Sequence, residues 1–551
     1  MASKKTTLQG ESSIKTQMQL PGSTMGAPPA TERPVIQARS ICTHLSLVLL
    51  AVILANLLHF ATWAMQILWP IKLPDHWVSG NVGNVECSQY YATSSDRSSY
   101  FGKPTTGIAS ATQELNFCED AELLDGKWEG WSLYSCDYNR GNWNTVIGPL
   151  KNAAPRGALW LWNHANASVT GAAPKALELL GYPDDASFHP LGFSLHLESD
   201  VLFVVNHGKF RSSVEVFRVT AAPAPKLQYL RTIVHSSALH TPNSVLSLSP
   251  TSFLVSNDHF IARRPPPFEA ILETYRSRLG LDSLSIALAH FVSIPKIAGL
   301  LAKVETMLGM RGGWVDEVHF DGDVTRTRRV ASNIPFANGV ALSPDGKTLA
   351  VAATTAPGVR LYDLNQVAVP RDGFRLPQLG DAEGNDFETI PLRFPPDNLA
   401  FVPSIGPMDP SSPVRLIASG HPNPLKLLTR AKDPYSGKAH PAPSWVVVIN
   451  VLPPRTIEPK RTTLASGSLP VAPTRPRFEK SQNRKRSSPR FLVRTLYQSN
   501  GRGTSEQEGS TTGASSSTAA LFDEDAGLLV VTGLYSAGLL VCRNVHLPLL
   551  S

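Results

Sequence analysis

Residues 336–364 read FANGVALSPDGKTLAVAATTAPGVRLYDL. An apolar run follows Asn338-Gly339, a Pro-Asp-Gly turn breaks it, and two more apolar runs come after, the last being GVRLYDL. Short β-branched runs punctuated by Asp-Gly predict an antiparallel meander. An Asn at the entrance to a buried strand loses its hydrogen bonds to water and needs a replacement for them.

The same phrasing recurs. Asn243 opens NSVLSLSPTSFLVSND, Asn398 opens NLAFVPSIGPMDPSSPVRLIASGHP, and Leu191 opens LGFSLHLESDVLFVVNHGKFRSSVEVFRV. STAALFDEDAGLLVVTGLYSAGLLVCRN has the same cadence near the end, and an early copy starts at Cys118-Glu119-Asp120. That makes six units. Two long gaps each hold an insertion. Residues 265–312 carry Leu, Ile and Ala at helical spacing, and 453–516 are rich in Pro, Ser, Arg and Lys, as a disordered loop is. Without them the period is roughly fifty residues, which predicts an all-β, six-bladed β-propeller over 80–551. The helical insertion is expected to pack on the propeller rim, and the basic run at 480–490 to be a solvated loop.

In a propeller the first strand of each blade borders a central channel. Asn243, Asn338 and Asn398 share one phase, Leu191 holds it in another unit, and Asp397 and Glu119-Asp120 stand beside it. A closed ring gathers these oxygens at one end of the channel. Hard cations such as Ca²⁺ take six to eight oxygen ligands, and no Cys/His set has zinc spacing, so calcium is the expected metal.

Residues 41–71 contain no charged residue and are long enough to cross a bilayer as a helix. Residues 1–40 read as a disordered tail, with Lys4, Lys5, Lys15, Arg33 and Arg39 against Glu11 and Glu32. The positive-inside tendency leaves that tail cytosolic and the propeller lumenal or extracellular, tethered to the membrane. Of the five cysteines, Cys42 lies in the apolar stretch, and Cys87, Cys118, Cys136 and Cys542 are free to pair in an oxidising compartment. Asn166-Ala167-Ser168 is an N-glycosylation sequon. The net charge of +7 is a mild excess, much of it in the segments read as unfolded, and no base-reading motif accompanies it, so nucleic acid is not an expected partner.

The stretches CEDAEL (118–123), FHPLGFS (188–194), VVNHGKFRSSVEVF (204–217), PNSVLSLSP (242–250), SNDHF (256–260), FANGVALSPDG (336–346), PDNLAF (396–401) and GHPNPLK (420–426) resemble the serum paraoxonase/arylesterase family. The resemblance implies a six-bladed propeller with two channel calciums that hydrolyses lactones and aryl esters. It implies a catalytic calcium on Glu119, Asn243, Asn338, Asp397 and Asn398, and a structural one on Asp120 with a backbone carbonyl near Phe193. It also implies that an N-terminal cysteine, Cys118 or Cys87, joins Cys542 to close the ring.

Two positions depart from that pattern. Ser244 stands where the family supplies an Asp to the structural calcium, so one or two ions are expected. Leu191 stands where the family has its general-base His. His189 lies two residues away, and on an extended segment faces the same side. His207 matches the second His of the family's dyad. His259 and His421 are expected to be structural. The expected chemistry is calcium-dependent hydrolysis of esters or lactones. Its rivals are a non-catalytic, membrane-tethered binding propeller and another calcium-propeller chemistry, gluconolactonase-like or strictosidine-synthase-like.

Overall fold

In the computed structural model the six repeated stretches form six sheets of antiparallel strands, one of them with the short parallel strand Leu179–Leu180 added at its edge. The structure describes residues 71–80, 84–90, 114–165, 173–220, 225–265, 267–280, 282–364, 387–402, 413–435, 440–452, 491–502 and 513–547, together with Leu50 and Leu54. Residues 1–40, the stretch 41–71 (apart from Leu50, Leu54 and Ile71), Asn166 and, of the loop expected at 453–516, residues 453–490 and 503–512 lie outside the described residues; Phe491–Ser499 of that expected loop is instead a strand, paired with Ser444–Val451 and His76–Val78. The chain divides into Met1–His59 and Phe60–Ser551. The second unit carries the sheets.

The innermost strands are Cys118–Leu124, Pro190–His196, Pro242–Ser249, Ala337–Leu342, Pro396–Phe401 and Ser517–Asp523. Each touches the next in that order, and the last touches the first, so the six sheets close a ring around an axis. Between sheets the strands bury apolar faces: Leu202, Val204 and Phe217 of one pack with Leu159 and Leu161 of its neighbour, with no more than 4% of any of them exposed. Full burial of such a side chain contributes about 1.5–3 kcal/mol, so the inter-sheet layers hold the ring.

The ring is closed by the chain's early segments. Glu86–Tyr90 adds the outermost strand to the last sheet, and His76–Val78 does the same for the fifth. Cys87 bonds Cys542 across that added strand. Of the two partners left open for Cys542, Cys87 takes the role, while Cys118 bonds Cys136 on the adjoining strand.

Every innermost strand has one extra residue against its partner near the same end. Pro242 faces Asn257 while Val245 faces Val255; Ala337 faces Ala353 while Val340 faces Val351; the other four show the same slip. A β-bulge leaves a residue unpaired and re-aims its side chain. Six bulges at one level form a collar around the channel. Gly339 sits in one of them, where a Cβ would lie 2.6 Å from Asn398 Cα; Gly192 sits in another, 2.6 Å from Ser244 Cα. Asn338 is followed by glycine because the next blade's backbone leaves no room for a side chain.

Three helices, α1 (Phe268–Leu279), α2 (Asp282–Val292) and α3 (Pro295–Met307), lie between strands Ser252–Asn257 and Gly313–Asp321. Glu305 of α3 accepts hydrogen bonds from the backbone N–H groups of Phe260 (2.7 Å) and Ile261 (2.9 Å), which pins the helix beside the collar. Among the described residues no single helix is long and apolar enough to cross a membrane; α2 and α3 together reach that length and composition but are bent by 107°.

Candidate metal centre in the propeller channel

The collar carries Glu119, Leu191, Asn243, Asn338, Asp397 with Asn398, and Thr518, one position from each blade. The five polar residues anticipated around the calcium are all there, each at most 6% exposed. Their nitrogens and one carboxylate are spent on each other. Asn398 Nδ2 donates to Glu119 O (2.9 Å) and Oε1 (3.1 Å), Asn338 Nδ2 to Asp397 Oδ1 (2.5 Å), and Asn243 Nδ2 to Asp258 Oδ2 (3.2 Å). His421 Nε2 lies 2.7 Å from Asp397 Oδ2.

Four oxygens are left over. Glu119 Oε2 and the Oδ1 atoms of Asn243, Asn338 and Asn398 are buried and have no hydrogen-bond partner. Such atoms cost about 1–3 kcal/mol each when unsatisfied, and native interiors hold only a few per hundred residues, so four on one ring is a concentration. Four on one collar, all acceptors and all oxygen, fit a hard cation. Burial raises the Glu119 carboxyl well above the ordinary range, and the charges of Asp120 and Asp397 raise it further. A divalent ion removes that penalty.

Asp120 stands at the same bulge, but its oxygens are engaged. Oδ1 accepts from Ala121 N (2.9 Å) and Oδ2 from Phe193 N (3.2 Å). Burial pushes its carboxyl up to about 7.

The histidines differ sharply. His189 Nδ1 faces Asp137 Oδ2 (3.0 Å) and Nε2 faces Ala153 O (2.9 Å), so both ring nitrogens are engaged by neighbouring oxygens. His207 Nε2 donates to Pro242 O (2.7 Å), which leaves its lone pair on Nδ1 beside the Thr145 hydroxyl. Burial lowers the His207 pKa to about 4, keeping the ring neutral. At His259 burial opposes charge, but the Asp258 carboxylate at 2.8 Å outweighs it and the pKa is raised. His207, Asp258 and His259 share a small cavity of about 20 Å³ with Arg263 and Arg264. Leu191 is buried among Val205, Val245 and Phe253.

Three contributors escape a reading of the sequence. Thr518 occupies the sixth bulge and donates to Cys118 O (3.1 Å), bracing the strand of Glu119; the phase of STAALF would have found it. Asp258, just past the end of the second strand of its blade, orients Asn243 and His259. Arg140, 4% exposed, donates to Pro190 O (3.0 Å) and acts on the Glu119 carboxyl from a loop with no repeat signature.

Comparison with known proteins agrees with this geometry. The family model described as Arylesterase matches residues 152–298. The chain is 28% identical over 260 residues to serum paraoxonase/arylesterase 2 of Canis lupus familiaris, covering 46% of this chain and 55% of that protein. It is 26% identical over 264 residues to serum paraoxonase/lactonase 3 of Homo sapiens, covering 47% and 57%. The matches thus span about half the length of these relatives. A solved gluconolactonase from Xanthomonas campestris aligns over 86% of this chain and 96% of its own, at 12% identity and a TM-score of 0.35, a likeness that bears on neither fold nor function. The arylesterase match, the paraoxonase relatives and the six-bladed ring together fit a divergent member of the paraoxonase/arylesterase family.

Proposed function

We propose that the chain is a calcium-dependent hydrolase of esters or lactones. The observation that carries this is the set of four partnerless oxygens on Glu119, Asn243, Asn338 and Asn398. A calcium ion held there, beside the negative charge of the Asp397 carboxylate that Asn338 and His421 orient, would supply a Lewis acid for a substrate carbonyl and for its oxyanion. His207 takes the proton of the attacking water at Nδ1. Its Nε2–H, held by Pro242 O, fixes the tautomer that a base requires. A base whose pKa is about 4 is a weak one at neutral pH, so slow turnover is expected. The charge-free stretch 41–71 is read with it as a membrane tether that leaves the propeller on the lumenal or extracellular side.

Purified full-length chain, assayed on a panel of lactones and aryl esters, is expected to lose turnover on chelation and on Asn338→Ala, by at least a hundredfold in kcat/KM. Turnover that survives both refutes the calcium reading. Leu191, buried where the family has its base, favours a second reading, a propeller that binds esters or lactones without cleaving them. Calcium-dependent binding of a lactone with no turnover would favour it.

A further inference from the structure

We infer that the channel of this chain holds one divalent ion, not two. The inference rests on the calcium reading above and concerns the level below the collar, where the family resemblance implies a second ion on Asp120, on a carboxylate at the position of Ser244 and on a backbone carbonyl near Phe193.

The residues do not fit that ion. At the collar, four buried oxygens lack partners; at the lower level none does among the described residues. Both Asp120 oxygens accept backbone N–H groups, from Ala121 and from Phe193. Ser244 brings a hydroxyl where two charges on the ion call for a second carboxylate, so a divalent cation there would keep about one uncompensated charge in a buried channel, which is costly.

Glu122 cannot make up the difference. It lies two residues along the strand from Asp120, and its Oε2 accepts from Leu195 N at 3.1 Å. Asp120 and Glu122 are thus tied in parallel to Phe193 and Leu195, two residues apart on the neighbouring innermost strand. That ladder holds them at a strand spacing of roughly 7 Å. Oxygens sharing one calcium sit about 2.4 Å from it, hence within about 5 Å of each other. Asp120, Glu122, Asp125 and Ser244 line a cavity of about 260 Å³ together with Val245, Leu246, Leu342 and Phe401. Among the described residues, three carboxylate oxygens nowhere converge within reach of one ion there.

The test is the calcium content of the full-length chain after equilibrium dialysis at millimolar calcium, measured by elemental analysis. One ion per chain is expected, absent in Asn338→Ala, with a second gained by Ser244→Asp. Two ions per wild-type chain overturn the inference and leave the hydrolase reading standing. No ion at all overturns both. The wild-type count decides the matter even where a variant does not fold.

Discussion

Glu122→Gln should stabilise the protein at neutral pH and do nothing for it in acid. Burial, with smaller contributions from Asp120 and Asp125, pushes the Glu122 carboxyl from an ordinary 4.5 up to about 8, against the bond from Leu195 N that pulls it down. An acid whose folded-state pKa is raised keeps a proton that the unfolded chain has released. The native state therefore binds more protons between pH 4.5 and 8, and stability falls as pH rises through that window. At about 1.4 kcal/mol per unit, three units of that window are crossed by pH 7.5, a loss of up to about 4 kcal/mol. The carboxyl faces a cavity that water can enter, which makes this an upper figure. Gln is a permanent stand-in for the neutral acid, and its carbonyl can still accept from Leu195 N. Thermal unfolding in saturating calcium should show the two proteins equal near pH 4.5, and the variant higher in Tm by several degrees at pH 7.5. A variant no more stable than wild type at pH 7.5, or a gap that persists unchanged at pH 4.5, refutes the account of a proton-holding channel.

Leu191→His should raise lactone turnover by ten- to a hundredfold over wild type, because it restores an imidazole at the collar; a fall in kcat with an intact fold says that the position never carries a base here. Cys87→Ser opens a loop of 455 residues; the chain-entropy model puts the loss at about 6 kcal/mol, against about 3 kcal/mol for the 18-residue loop of Cys118–Cys136, and equal Tm losses for the two breaks would refute that ordering. Gly339→Ala drives a Cβ to 2.6–2.8 Å from the backbone of Asp397, Asn398 and Leu399. It should lower calcium affinity at least tenfold along with Tm, and isothermal titration showing unchanged affinity would mean that the bulge does not set the ligand geometry.

The fold was legible because its signals are local. Each blade announces itself through short apolar runs and a turn, and all six stretches picked out by that cadence begin an innermost strand. The five polar collar residues were legible for the same reason, since a repeat fixes phase and phase fixes which residues a ring brings together. What the sequence hides is the bulge. Strict alternation would send Glu119 and Asp120, or Asp397 and Asn398, to opposite faces, and only the extra residue lets neighbours share the channel. The histidines were ambiguous for another reason. His189 and His207 look equivalent as letters, and they are told apart by Asp137, Ala153, Thr145 and Pro242, partners that no repeat spacing assigns to them. The pairing of Cys542 turns on which early segment joins the last sheet, which no spacing rule decides.

The bulge collar also explains how Leu191 and Ser244 can stand among the polar channel residues of one closed ring. A bulged residue makes no ladder bond on its own account, so its side chain is almost free of the sheet's register. What holds the ring is the apolar packing between blades and the closure through Glu86–Tyr90, and the polar collar positions take little part in either. Ser244 therefore changes what the channel can bind with little stake in whether the ring forms, whereas Leu191 belongs to the packing itself, buried among Val205, Val245 and Phe253. Gly192 and Gly339 are the exception: there the neighbouring backbone comes so near that the fold itself dictates the residue. The collar thus divides into positions set by sterics and positions open to chemistry. Because Leu191 packs between blades, a histidine placed there must be read for Tm as well as for turnover, and only a gain in kcat at little cost in Tm reports on catalysis.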